Sequence, residues 1–289
     1  MNPSDAEFLY RLPVHSGGNR PGAHPGLSRG SGMNFAAHAR LFDVPDPRRL
    51  DLRASITDVR GEWLVRTYQQ PASITAHVLV DMSASMDFGT PGKLQVAASF
   101  LRSLGLSAYG YGDAISLLPF DTVFREDLYQ PPQRGRAVGA YMADSIQQIS
   151  SSTPSSANGI HKALGDAINR LEGNTGLIFL LSDYHWALDT LAPMLDKLAS
   201  ATIVPIVIWD QAEVTPPDAG QLLFARDKET GSKRRLWISE SSRDVWLANV
   251  RAQRQRLIDM FARHNCAPFF IEREFNAQQL TRYFMERVS

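Results

Sequence analysis

Cysteine is nearly absent: Cys266 is the only one in 289 residues. An intrachain disulfide is therefore excluded, which suits a reducing compartment. Cys266 sits in Arg263-His264-Asn265-Cys266-Ala267-Pro268, at an expected helix-to-strand junction without a Cys/His/Asn constellation, and reads as a buried structural thiol. Net charge is lacking as well, since 30 basic side chains face 30 acidic ones. That balance removes the global field that nucleic acid or an anionic membrane would need, and the basic runs Arg48-Arg49 and Lys233-Arg234-Arg235 are short. No stretch approaches the roughly 18 apolar residues of a bilayer span. Asp5, Glu7 and Arg11 interrupt the N-terminus before any apolar core of signal-peptide length. The expectation is a cytoplasmic protein. No Gly-x-x-x-x-Gly-Lys-Ser/Thr nucleotide loop is present. The 7 histidines are scattered, without a His-x₃-His pair, which disfavours a soft-metal site.

Apolar residues make up 44% of the chain, enough to bury a substantial core. Residues 1–32 are rich in turn formers, His15 to Gly26 above all, and read as a flexible segment rather than a phosphate cradle. Residues 33–73 carry short β-like pieces (Met33–Ala36, Leu50–Ser55, Glu62–Tyr68) and read as a small β subdomain. From residue 74 to 289 apolar strands alternate with amphipathic helices, the pattern of a doubly wound, Rossmann-like and mostly parallel sheet. Its expected strands are Ile74–Val80, Ala114–Phe120, Leu177–Leu181, Ile203–Ile208 and Pro268–Ile271, with Val123–Tyr129 as an antiparallel partner. Pro205 lacks an amide donor and pushes its strand toward an edge or an irregular end. Helices are expected at about 93–106, 137–148, 188–198 and 242–264. The best-patterned one carries Ile160, Ala163, Leu164, Ala167, Ile168 and Leu171 at helical spacing.

Open α/β sheets bind ligands beyond the carboxyl ends of their strands. Hard oxygen donors gather there: Asp81, Ser83 and Ser85 after the first core strand, Thr153, Ser155 and Ser156 before a helix, and Asp183 after Leu177–Leu181. Carboxylates and hydroxyls without convergent Cys or His describe a hard-cation site, and Mg²⁺ is the expected ion, with Mn²⁺ or Ca²⁺ as alternatives. Side chains two apart at an extended strand end point the same way, which suits Asp-x-Ser-x-Ser.

Asp81-Met82-Ser83-Ala84-Ser85-Met86 resembles the metal-ion-dependent adhesion motif of von Willebrand factor A domains. The resemblance implies a fold of that type, direct cation binding by Ser83, Ser85 and a second-loop threonine, and Asp81 acting mostly through water. It makes Asp183 the third-loop carboxylate. It also implies an open coordination position that a partner's Asp or Glu completes, with Met86, Ser155, His185 and Trp186 as the partner-facing residues. From residue 30 onward the chain is similar to the bacterial domain-of-unknown-function family 58, associated with MoxR-type AAA+ ATPases. The matching segments are Gly30-Ser31-Gly32-Met33-Asn34-Phe35, Arg40-Leu41-Phe42 and Pro45 to Ser55. Departures are Val44-Pro45-Asp46 for the family's Gly-Asp-Asp, Gln70-Pro71 for an acidic pair, and no Gly-Gly-Thr before the third core helix. Thr153, Ser155, Ser156 and Asn158 therefore all stand as candidates for the second-loop ligand. The resemblance implies a non-enzymatic adaptor or chaperone-like partner of such an ATPase, docking a client or the ATPase through an acidic residue. Two alternatives are a Mg²⁺-dependent hydrolase on a similar sheet, with His185 as a base, and a metal-free scaffold with a degenerate site.

Overall fold

The computed structural model describes residues 6–10, 21–30, 34–148, 157–188, 190–226 and 233–288. Its first part holds β1 (Pro21–Gly30), β2 (Asn34–Arg40), a short helix α1 (Leu52–Thr57) and β3 (Leu64–Ala72), the strands forming an antiparallel sheet in the order β1-β3-β2. Two expectations change here. Pro21–Gly30 is a strand, although its pairing with β3 slips between Pro21 and His24 and again between Pro25 and Arg29. Prolines and glycines weaken a ladder without abolishing it, which is why the segment reads as a loop. Leu50–Ser55 is not extended, because Asp51 accepts the Ala54 amide at 3.1 Å and caps α1. Residues 6–10 are also anchored. Phe8 packs among Phe100, Phe275 and Phe284, and the Tyr10 hydroxyl donates to Asp113 at 2.6 Å.

The larger unit runs β4 (Thr75–Asp81), α2 (Lys93–Tyr111), β5 (Ala114–Phe120), β6 (Gln130–Gln133), α3 (Val138–Gln147), α4 (Ala157–Asn169), β7 (Leu177–Ser182) and α5 (Leu191–Asp196). It continues with β8 (Thr202–Ile208), α6 (Gln211–Val214), the antiparallel pair β9 (Leu222–Arg226) and β10 (Lys233–Trp237), α7 (Glu240–Ala262), β11 (Phe269–Ile271) and α8 (Ala277–Val288). Six strands line up as β11-β8-β7-β4-β5-β6, parallel throughout except for β5 with β6. This is the mostly parallel α/β sheet that the sequence pattern predicts. Along β4, Ala76, Val78 and Val80 join the core under α2, α3 and α8, whereas Leu79 joins the one under α4, α5 and α7. Burial on both faces explains the unbroken apolar runs.

The antiparallel partner of β5 is Gln130–Gln133; Val123–Tyr129 is irregular, touching β5 through a single bridge between Phe120 and Phe124. Strand β8 lies inside the sheet, and its ladder to β11 starts at Ile206, one residue after Pro205. Among the described residues no helix is long and apolar enough to cross a membrane.

The strand order fixes where a ligand would sit. From β4 the chain crosses by way of α2 to β5 on one side, and β7 later occupies the other. The topological switch point therefore lies beyond the carboxyl ends of β4 and β7, where adjacent connections diverge and leave a crevice. Asp81 ends β4 and Asp183 follows β7 directly.

Candidate metal centre

Asp81 is fully buried. Its Oδ1 accepts the Ser83 amide at 2.8 Å, closing a tight turn that lifts the chain off the sheet. A short 3₁₀ helix over Ala84–Asp87 follows. The turn brings the Ser83 and Ser85 hydroxyls to 3.1 Å of one another, Ser83 buried and Ser85 partly open. Met86 turns the other way and is wholly buried in the core, so the partner-facing role expected for it does not fit.

The loop after β7 is pinned from several directions. The Ser182 hydroxyl donates to Asp81 Oδ2 at 2.7 Å, and Trp186 Nε1 reaches the same oxygen at 3.2 Å. Trp186, expected to face a partner, is instead buried against Asp81; His161 of α4 meets its ring edge-on. Tyr184 adopts φ 54°, an uncommon left-handed conformation for a bulky residue. It is held by its own hydroxyl on Leu180 O at 2.8 Å and by Gln253 on its carbonyl at 3.2 Å. Trp209 Nε1 donates to Asp183 O at 2.9 Å, and the Asp183 carboxylate accepts the His185 amide at 3.2 Å.

A lysine completes the constellation. Lys93 Nζ, 1% exposed, lies 2.8 Å from Asp183 Oδ2 and 2.7 Å from Glu213 Oε1. Glu213 in turn closes the capping box of α6, its Oε2 accepting the Asp210 amide at 2.9 Å. The His185 ring is 41% exposed, its Nδ1 3.5 Å from Asp183 Oδ2 and 3.8 Å from Glu213 Oε1. Among the described residues Asp183, His185 and Glu213 form a group with metal-ligating atoms within 4.8 Å of one another. Lys93 already bridges its two carboxylates, so the cation held there is an ammonium.

Electrostatics separates the two buried aspartates. Burial, followed by the charge of Asp183, pushes the Asp81 carboxyl up to about 6. Burial would raise Asp183 too, but the charges of Lys93 and His185 outweigh it and hold this carboxyl below its ordinary range. Burial disfavours the Lys93 ammonium, yet Asp183 and Glu213 together more than compensate and raise its pKa. Among the described residues no cationic side chain lies against Asp81; its contacts include the Ser83 amide, the Ser182 hydroxyl and the Trp186 indole N–H.

The structure therefore brings together Asp81, Ser83, Ser85 and Asp183, with His185 at the edge. Thr153, Ser155 and Ser156 lie outside the described residues, as does the side chain of Asn158 at the start of α4. Sequence reasoning missed Ser182, Lys93 and Glu213. For Lys93 a signal existed: it heads the series Lys93, Ala97, Phe100, Leu104, all buried on one face of α2. Glu213 is marked by the capping pattern Asp210-x-x-Glu213.

The donor set fits a hard divalent cation. Two adjacent hydroxyls and two carboxylates are oxygen ligands of the kind Mg²⁺ and Ca²⁺ take. His185 apart, the carboxylates of Asp81, Asp183 and Glu213 against Lys93 leave two negative charges, one of them on a carboxylate without a cationic partner among the described residues. A buried charge of that kind calls for a counter-ion or a proton.

The profile described as "Protein of unknown function DUF58" matches residues 45–256. The uncharacterized protein Rv1480 of Mycobacterium tuberculosis is 25% identical over 236 residues, 81% of this chain and 72% of that one. Among solved structures, the conserved hypothetical protein BatB from Bacteroides thetaiotaomicron aligns with TM-score 0.45 at 15% identity, over 75% of this chain and 98% of that one. A von Willebrand factor type A protein from Catenulispora acidiphila aligns with TM-score 0.40 at 12% identity, over 77% of this chain and 43% of that one.

Proposed function

The chain belongs to the DUF58 family of proteins of unknown function, and on that premise we propose that it is a cation-dependent docking module for an acidic residue of a partner protein. The observation that carries this reading is Asp81: a wholly buried carboxylate without a cationic partner among the described residues, beside two hydroxyls 3.1 Å apart, at the switch point of the sheet. Ser83 and Ser85 would hold the cation, and Asp81 and Asp183 would supply the charge that retains it. Both Asp81 oxygens already accept hydrogen bonds from the protein, which favours its acting through water. Mg²⁺, with Mn²⁺ or Ca²⁺ as substitutes, supplies when bound the positive charge that a partner's carboxylate recognises. The second-loop ligand would come from Thr153, Ser155, Ser156 or Asn158. His185, half-exposed at the edge, would touch the partner.

In this reading the partner is a MoxR-type AAA+ ATPase and the chain a non-enzymatic adaptor in the cytoplasm. The test is binding of such an ATPase from the same source, by biolayer interferometry, to wild type and to Ser83→Ala/Ser85→Ala. Loss of the two hydroxyls is expected to weaken the complex at least about tenfold, or roughly 1.4 kcal/mol. Equal binding by a folded double variant would contradict cation dependence, and no binding by either protein would contradict the ATPase as partner. Turnover of phosphate or acyl esters with Mg²⁺, abolished by Asp81→Ala, would instead establish the hydrolase alternative.

A further inference from the structure

Next to the Lys93-bridged cluster, and reaching the cation site through His185 beside Asp183, lies an apolar groove of about 670 Å³. One wall is a face of α7 bearing Val245, Trp246, Asn249 and Val250; Trp209 contributes to the lining, and His185 and Glu213 are shared with the Lys93-bridged cluster. The volume falls in the range of sites that take a small ligand or a few large side chains. Trp246 is fixed there by its Nε1, which donates to Glu213 O at 2.8 Å, and the Trp209 ring stacks on His185 at 6.3 Å between centroids. Val245 is 60% exposed, an apolar side chain open to solvent at the mouth.

The charge around this groove is one-sided. Both Glu213 oxygens are engaged, one by Lys93 and one by the Asp210 amide, so its charge is answered from within. Arg256, also in the lining, makes no ion pair among the described residues. An occupant therefore meets Arg256, the His185 ring and a wall of aromatic and branched aliphatic carbon.

We infer that the groove and the cation site form one continuous docking surface for an extended partner segment carrying a carboxylate followed by an aromatic or branched aliphatic side chain. The carboxylate goes to the cation site, and the apolar side chain enters between Trp209 and Val245–Trp246. This rests on the docking reading above and deepens it: the cation selects for acidity, and the groove selects which acidic segments bind. Apolar burial of one large side chain next to an anchored carboxylate is the usual arrangement of a short recognition motif.

The test uses fluorescein-labelled Gly/Ser host peptides containing Glu-(Ser)ₙ-Phe with n from 0 to 3, titrated by anisotropy with the full chain in Mn²⁺. At least one spacing is expected to bind about tenfold or more tighter than its Phe→Ser and Glu→Gln counterparts. Val245→Asp, a change at an exposed position, should erase the advantage of Phe while leaving that of Glu. Ser83→Ala/Ser85→Ala should do the reverse. Quenching of Trp209 and Trp246 fluorescence by the Phe peptide should persist in that double variant. If the Glu advantage fails everywhere while quenching and the Val245 effect remain, the cation reading falls and the groove stands. Equal binding of Phe and Ser peptides at every spacing, or no effect of Val245→Asp, would overturn the groove.

Discussion

Lys93→Met lowers the unfolding free energy by about 3–5 kcal/mol at pH 7 in chelator, the range expected when one partner of a buried ion pair is removed. Methionine matches the length of the lysine stem but takes away the ammonium that lies within 2.8 Å of both Asp183 and Glu213. Two carboxylates are then left without the ammonium between them, one of them fully buried. Glu213 can relax toward solvent because a quarter of its side chain is exposed; Asp183 cannot. Adding Glu213→Gln should therefore recover only part of the loss. The variant's local charge is also one unit more negative, so Mn²⁺ should raise its melting temperature further than it raises that of wild type. Urea unfolding followed by circular dichroism measures the first effect and thermal melts the second. A loss below about 1 kcal/mol would mean that the ammonium does not carry the charge balance of the site.

Asp81→Asn should act with the opposite sign. The folded chain holds this carboxyl at about 6 against an ordinary 3.8, burial being the larger cause and Asp183 the smaller. Its proton is bound more tightly in the fold than in the unfolded chain, so stability rises as pH falls through 6 toward 4 and is lowest above 6. Two units correspond to about 3 kcal/mol of destabilisation by the ionised group at pH 7. Asparagine removes that charge and keeps an acceptor for the Ser83 amide, but its NH₂ faces Trp186 Nε1, which loses a partner. The net gain is expected at about 1–2 kcal/mol in chelator at pH 7, shrinking as the pH approaches 4. Mg²⁺ at millimolar concentration should stabilise wild type and leave Asp81→Asn unmoved. A variant less stable than wild type at pH 7 in chelator would show that the Asp81 charge is better accommodated than its surroundings suggest.

These two residues also mark how far the sequence could be read. Asp81, Ser83, Ser85 and Asp183 stand out because buried strands ending in short oxygen side chains are visible as pattern, and the sheet topology puts them together. Lys93 and Glu213 do not stand out. Each belongs to an element whose local signature is complete without a function, a helix face for one and a capping box for the other. Their meeting spans 120 residues and depends on α2 and α6 ending up side by side. The errors in the small sheet have a similar cause. Asp51 looks like a polar residue in a strand until Ala54, His38 and Arg66 are seen to converge on it. The proline- and glycine-rich β1 becomes a strand only because β3 is there to pair with it. Local preference is overridden where a tertiary partner supplies the missing energy.

The central claim is that the Asp81–Ser85 turn holds a divalent cation, and Mn²⁺ binding by electron paramagnetic resonance tests it most directly. Chelator-stripped wild type should remove one equivalent of Mn²⁺ from the free-ion signal, competed by Mg²⁺, and Ser83→Ala/Ser85→Ala should weaken that binding at least tenfold. Wild type and the double variant leaving the free Mn²⁺ signal equally unchanged up to millimolar metal would contradict it.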